Sequence, residues 1–479
     1  MNRRESVGLI GFGALGMAGM SSAAKTQTDV LVFGAGAAGL HAARELEKAG
    51  YDVVVLEGST RVGGRCWTGY GVPGRPEFGA SEIPGTGRIV DVCRELGVRL
   101  QRPSPLQPSE STPPQLAVSL GGRPAEPIPW KDSPLNRLVG TDREVSPMQL
   151  WLHYAFKKTW FPSKLDWFTP EFAPLDRMSI AEYYRSVGAS PEALRVIGIG
   201  NTTGDLEDQS AVDVLRRAEF VRRQAKKGTR GWTATDGTES ITTAMAHSLA
   251  QRPRLDHAVT HVELTRDGVR ARCANGTEWS ARAAVCTLPF STLKRVKVTG
   301  DVDPVQREAW RSIPYANFMG VYLDYDEPFW REDGMAGTTW TDGPIELVLH
   351  TWSATKPDGL LYAHFKGGTP QFRGMDDREI GAFVVRELAR IRPASLGKVR
   401  FTHLHNWQRY PFALGHKAFF KPGQVQRYFL RMIAPAGNLF FAGEHCAREQ
   451  LGVEGACESA EAAVVQVRER LQDRVHVAA

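Results

Sequence analysis

The chain has 479 residues, 42% hydrophobic and 23% charged, with a formal net charge of +6. That length exceeds what one core organises, so two or three domains are expected. The positive charge is spread along the chain without a blocky Lys/Arg run, and no stretch approaches about 18 uncharged apolar residues, which argues against a nucleic-acid binder and against a spanning helix.

The first residues read as a targeting segment. Asn2-Arg3-Arg4-Glu5-Ser6 precedes the mildly apolar run Val7–Met20 and the small residues Ser21-Ser22-Ala23-Ala24. This pattern suits a twin-arginine export signal over residues 1–24, although no Phe or Leu follows Glu5 directly. The expected location is periplasmic or secreted, and cytoplasmic if the segment is only an extension. Gly11-Phe-Gly13-Ala-Leu-Gly16 has dinucleotide-loop spacing but no preceding strand and no following acid, so it is rejected as a nucleotide site.

Residues 29–65 carry the strongest signal. Asp29–Phe33 is an apolar strand, Gly34-Ala-Gly36-Ala-Ala38-Gly39 follows at once, Leu40–Ala49 has helical spacing, and Val53–Leu56 is a second strand ending at Glu57. Gly34 suits the tight turn, Gly36 the approach of a pyrophosphate, and Gly39 close packing of helix on strand. The helix N-terminus offers free N–H groups to phosphate. Glu57 stands where a carboxylate accepts both ribose hydroxyls and repels a 2′-phosphate. Arg61-Val-Gly63-Gly64-Arg65 then adds amides and a guanidinium fork for an extended pyrophosphate, which favours FAD over NAD.

At this point the sequence resembles the flavin-containing amine oxidase superfamily, whose first dinucleotide fold continues E-x-x-x-R-x-G-G-R, as Glu57 to Arg65 does. The resemblance implies a two-domain α/β fold: a discontinuous Rossmann-like FAD-binding domain and a substrate domain of mixed sheet and helices. On this reading residues 26–90, 232–298 and 430–472 form the FAD domain, and 91–231 and 299–429 the substrate domain. It also makes Gly79 and Ala80, in Pro76–Gly85, a place where backbone passes the isoalloxazine ring.

Further along, Gln101–Pro129 is proline-rich and reads as loop, and Trp151–Phe172 is crowded with aromatics that suit either a core or a channel wall. Ile180–Val187, Pro191–Val196 and Ala211–Lys227 have helical patterns. Ala258–Leu264, Val269–Cys273 and Ala283–Leu288 read as strands, with Asp267-Gly268 and Asn275-Gly276 as turns. By resemblance, Val259 contacts adenine through its backbone. Val321–Tyr325, Ile345–His350 and Leu360–Phe365 are strand-like, and Arg378–Arg390 is helical.

Two closing segments extend the resemblance. Trp407 through Lys417 is similar to the family W-x-x-x-P-[YF]-x-x-G-x-[YW], and Leu439 through His445 to the strand and turn of its last FAD motif. Gly452–Ala460 then opens a helix whose dipole suits the anionic reduced ring. The resemblance implies that Gly443 and Glu444 lie at the ribityl-pyrophosphate region and the Val453 amide at flavin O2.

Three departures from the family bear on chemistry. Gly320 stands where most oxidases of the family carry a lysine near flavin N5 that assists reaction with oxygen. Lys417 and Gly452 replace the two aromatic rings that sandwich the amine, unless Trp407, Tyr410 or Phe412 substitutes. Lys417 then suits either a substrate carboxylate or a base with a depressed pKa, against the plainer reading of a paired surface lysine. His416 stands where monoamine oxidases bond a cysteine to the flavin, which leaves a histidyl link or a noncovalent neighbour open. His364 and Lys366 end a strand near the expected pocket. The candidate catalytic residues are thus Lys417, Trp407 and His416.

The expected activity is FAD-dependent oxidation of a C–N bond in an amine or amino acid by hydride transfer to flavin N5, followed by imine hydrolysis. A dehydrogenase is favoured over an oxidase because of Gly320. Two rivals are a desaturase-type dehydrogenase acting on a non-amine substrate and a binding protein on a retired flavoprotein fold. Expected partners are a small amine or amino acid and oxygen or another electron acceptor, with no nucleic acid; a homodimer is compatible. Six cysteines show no zinc spacing, so no metal site and no disulfide is expected.

Overall fold

The computed structural model describes residues 26–102, 115–158, 160–161, 166–226, 231–366 and 370–477. The segment read as an export signal lies outside them. Strands are numbered in chain order: β1 Thr26–Phe33, β2 Val53–Leu56, β3 Leu100–Gln101, β4 Gln115–Ser119, β5 Thr233–Ala234, β6 Val259–Leu264, β7 Val269–Cys273 and β8 Glu278–Cys286. They continue as β9 Lys297–Thr299, β10 Phe318–Tyr325, β11 Met335–Thr341, β12 Leu347–Thr351, β13 Leu360–Lys366, β14 Val399–Asn406 and β15 Leu439–Phe441.

The first large sheet runs β2-β1-β8-β7-β6-β9. Its centre is parallel, with Val30 opposite Val53 on one side and Ala283 on the other. Val30, Leu31, Val32 and Phe33 have no exposed surface, because helices cover this sheet on both faces, and such strands read as unbroken apolar runs. The long strand β8 serves two neighbours on one edge. Its first half pairs antiparallel with β7 (Val269 opposite Ala281) and its second half parallel with β15 (Leu439 opposite Ala284). The C-terminal strand β15 is thereby fixed in the same sheet, with β8 between it and β1. The Ala37–Lys48 and Gly452–Val477 helices share one core with the apolar residues of one face of this sheet. On the other face Trp310 packs 5.1 Å from Phe441, ring to ring.

The second sheet runs β14-β10-β13-β12-β11-β4, antiparallel except for the β11–β4 pair. The Asp377–Ile391 helix covers one face through Ile380, Val384 and Leu388. It opens with a reciprocal cap between Asp376 and Glu379. A helical layer lies beside this sheet. Ser179 and Glu182 form the same reciprocal cap on the Ile180–Ser186 helix, and Ser190 caps Pro191–Gly198. The Ala211–Lys226 helix packs against the Leu150–Ala155, Ala173–Arg177 and Ile180–Ser186 helices of this layer.

Three expectations need correction. The stretch Gln101–Pro129 contains the strand β4, which adds to the edge of the second sheet beside β11. Strands β11 and β14 had no expected counterpart. The written divisions at 90/91, 298/299 and 429/430 fall inside the Arg88–Glu95 helix, β9 and the Gln424–Met432 helix. The first of these helices belongs with the FAD-side core, since Ile89, Val90, Val92 and Cys93 pack there. The aromatic stretch is mostly core: Tyr154, Phe161, Trp167 and Phe172 are buried. All six cysteines are buried and free.

Candidate active site

One cavity of about 990 Å³ runs from the C-terminal ends of β1 and β2 into the helical layer. Ligands bind at such strand ends in open α/β sheets because the chain parts there and helix N-termini converge. Of the expected cofactor-binding and catalytic residues, all line it except Gly39 and Trp407; Arg61, Gly320, His364 and Lys366 do not line it either.

The first end is a phosphate cradle. Gly34 has φ +104°, a turn that disfavours side chains, and a Cβ on Gly39 would sit 1.9 Å from the Gly34 carbonyl oxygen. Gly39 is therefore a packing requirement behind the wall. Gly36 is different: the nearest atoms to its missing Cβ are 4.0 Å away, on Gly63 and Gly64. The room beside Gly36, Ala38 and Gly64 is open to the cavity, as a backbone cradle for pyrophosphate must be. Arg61 props the second loop, donating to the Gly64 carbonyl at 2.9 Å and the Cys66 carbonyl at 2.5 Å.

Glu57 is aimed by its surroundings. Its carboxylate accepts the Ala35 N–H at 2.7 Å and the Ser59 N–H at 2.9 Å. Each carboxylate oxygen can accept further bonds, so the pair stays competent for ribose hydroxyls. Val259, opening β6, faces the same end of the cavity.

Arg65 and Glu444 join the two ends of the polypeptide. Arg65 donates to the His416 carbonyl at 2.7 Å and lies 3.6 Å from Glu444 Oε2. Glu444 Oε2 is buried without a hydrogen-bond partner. An orphaned acceptor beside the cradle suits the hydroxyl-rich middle of FAD, since a buried acceptor left unpaired costs about 1–3 kcal/mol. Gly443, Glu444 and Val453 lie together on this wall, Val453 in the first turn of the Gly452–Val477 helix. These features fit FAD.

Gly79 and Ala80 also line the cavity, but the glycine has another reason. A Cβ at 79 would lie 1.9 Å from the Arg65 carbonyl oxygen and 3.1 Å from the Trp407 ring. Trp407 itself is not on the wall. It is fully buried, and its indole N–H donates to the Phe78 carbonyl at 2.7 Å. Of the three rings that could substitute for the missing cage, Trp407 therefore stands behind the wall and supports the backbone there; its reading as a catalytic residue is corrected accordingly. Tyr410 and Phe412 do reach the wall, but Phe412 lies over Gly58 and Ala258, at the Glu57 end.

The space a side chain on Gly320 would fill is already occupied. Its Cβ would meet the Tyr322 ring at 3.3 Å and the Phe318 ring at 3.4 Å. Tyr322 is anchored by donating its hydroxyl to the Glu77 carbonyl at 2.8 Å. His416 faces both the main cavity and a smaller one of about 160 Å³, which His364 also lines. The His416 ring lies 4.9 Å from Phe318, and burial, with Lys417 and Arg65 nearby, pushes its pKa well below the usual value. His364 meets Thr202 Oγ1 at 3.2 Å, whereas Lys366 is turned to Asp205 at 2.8 Å.

Lys417 lies on the cavity wall. Burial first, and then Arg217, lower its pKa to about 8, with Glu444 and Asp213 opposing. Arg217 faces the same space from the Ala211–Lys226 helix, donating to Asp213 Oδ2 at 3.0 Å and the Ala418 carbonyl at 2.8 Å. Sequence reasoning missed this residue. The one available signal was Asp213 four residues earlier, a carboxylate within the buried side of the helix. Beyond these cations the wall is apolar, with Trp151, Tyr184, Ile197, Val214 and Trp340, and a polar shelf from Asn201 to Thr203.

Residues 37–468 match the family model for flavin-containing amine oxidoreductases. The amine oxidase [flavin-containing] of Danio rerio is 24% identical over 465 residues, spanning 92% of this chain and 85% of that protein. The L-amino-acid oxidase of Siganus canaliculatus is 26% identical over 471 residues, spanning 93% and 86%. Among solved structures, a putrescine oxidase superposes with a TM-score of 0.76 at 20% identity, covering 93% of this chain and all of that one. The cyclohexylamine oxidase of Brevibacterium oxydans gives 0.73 at 21%, covering 93% and 99%. The α/β fold with mixed sheets is shared with both. With the phosphate cradle, the placed Glu57 and a family match over most of the chain, this enzyme belongs to the flavin-containing amine oxidoreductase family.

Proposed function

We propose that the chain is an FAD-dependent amine dehydrogenase, which oxidises a C–N bond and passes the electrons to an acceptor other than oxygen. When bound, FAD supplies the acceptor for a hydride from the carbon beside nitrogen. The apolar wall of Trp151, Ile197 and Trp340 excludes bulk water while the substrate is held. The amine reacts in its neutral form, so its ammonium proton is lost before the hydride leaves. The resulting imine is hydrolysed by water to a carbonyl compound and ammonia or an amine. Relatives that act on amines and amino acids support the C–N reading.

The observation that carries the choice of acceptor is Gly320, where the rings of Phe318 and Tyr322 occupy the room a longer side chain would need. A preorganised positive charge stabilises developing negative charge on oxygen, and removing such a group typically costs about 10²–10³ in rate. The test is stopped-flow reoxidation of the anaerobically reduced enzyme. Air should react about 10²-fold more slowly than a quinone or ferric cytochrome at equal concentration. Comparable rates with air would make the protein an oxidase.

A further inference from the structure

The substrate side of the cavity has an unusual charge balance. Lys417 Nζ makes no hydrogen bond or ion pair with any described residue. Arg217 directs one nitrogen to Asp213 and Ala418, while its Nε is buried without a partner. Around them stand Arg65, Arg216 and the carboxylates Asp213 and Glu444; His364 from β13 and His416 are held neutral by burial. Among the described residues, the helical layer and second sheet contribute no Asp or Glu to the cavity wall. A diamine would therefore bring its second cation into a space that already holds Lys417 and Arg217, with Glu57, Glu82 and Glu444 as the carboxylates on the cavity wall.

We infer that Lys417 and Arg217 form a carboxylate-binding pair, and that the substrate is an amine bearing a carboxylate next to the reacting carbon, with an apolar side chain. This rests on the C–N reading above and names its substrate class. A carboxylate brought between the two cations would be met by donors that now lack partners, and charge-assisted bonds of this kind are the stronger ones. The apolar side chain would run along Trp151, Tyr184 and Ile197 toward the exposed Met148 and Val221 at the mouth. The guanidinium keeps its charge at any working pH, whereas Lys417 loses it above about pH 8.

The test does not depend on turnover. Benzoate, benzamide and benzylamine are titrated against the oxidised holoenzyme and binding is read from the flavin absorption bands. Benzoate should bind at least about tenfold more tightly than either uncharged benzamide or cationic benzylamine, a difference of ~1.4 kcal/mol. Its advantage should shrink above pH 8, vanish in Lys417→Met, and survive in Lys417→Arg. Arg217 also anchors its own helix, so the lysine variants carry the test. Equal binding of benzamide or benzylamine would overturn the pair. So would an undiminished benzoate advantage in Lys417→Met, even if that change shifts the flavin potential. Turnover is compared separately with phenylalanine and phenethylamine. If both bleach the flavin anaerobically at similar rates, C–N oxidation stands and the carboxylate pair falls.

Discussion

Glu57 shows how a single side chain is prepared for its ligand. Two backbone N–H groups, from Ala35 and Ser59, hold its carboxylate at the strand ends. Glu57→Gln would place an amide N–H against one of those donors and remove the charge. FAD affinity should fall about tenfold, ~1.4 kcal/mol, measured by fluorescence titration of the apoprotein; unchanged affinity would mean that the ribose is held elsewhere. Trp407 gives the opposite case. Trp407→Phe leaves the Phe78 carbonyl without its donor and should cost about 1–3 kcal/mol in urea unfolding. Substrate KM should stay unchanged, because the ring is behind the wall. A raised KM at unaltered stability would restore it to the site.

At the scale of elements, the strand, loop and helix at the start of the first sheet follow from local rules. Gly39→Ala forces a methyl to within 1.9 Å of the Gly34 carbonyl oxygen. Overpacking of this kind costs about 1–3 kcal/mol or more, so the apoprotein should melt lower and FAD retention should weaken together. A variant with wild-type melting would show that helix and strand can separate freely. This βαβ region was legible because its signals are contiguous: apolar runs, spaced glycines and an acid at fixed distance. The strands β11 and β14 were not. Their sequences, MAGTTWT and VRFTHLHN, lack a clean apolar alternation, and they become strands through pairing with β12, β4 and β10. The strand β4 was masked by its proline-rich surroundings. The FAD side of the site was readable for the same reason the βαβ unit was. The substrate wall was legible only at Lys417 and in the aromatic stretch that opens with Trp151; Asn201, Arg217 and Trp340 come from three other segments, and only folding brings them to the cavity.

The whole molecule carries a cost of burial that depends on pH. Burial lowers the pKa of His364 to about 4 and of His405 and His445 to about 3, and holds His416 well below its usual value. In the unfolded chain these histidines take up protons near pH 6.5. Between that value and about 4 the unfolded state therefore binds more protons, so stability rises with pH across this window and is lost as pH falls through it. Thermal melting of the apoprotein should drop from pH 6.5 to 4, against the opposing contribution of buried Glu77, whose pKa is raised to about 7, and a flat profile would contradict the neutral state of these rings. The same compactness brings the two ends of the chain together: β15 pairs with β8, and Arg65 reaches His416 and Glu444. One cavity then joins the phosphate cradle to the apolar wall.

The most direct measurement is an anaerobic titration of the FAD-reconstituted protein with amines and amino acids, following the flavin absorbance. The account predicts stoichiometric bleaching, with one carbonyl product and one ammonia or amine formed per flavin reduced. Flavin that stays oxidised with every amine, or a protein that never acquires flavin bands, would contradict it.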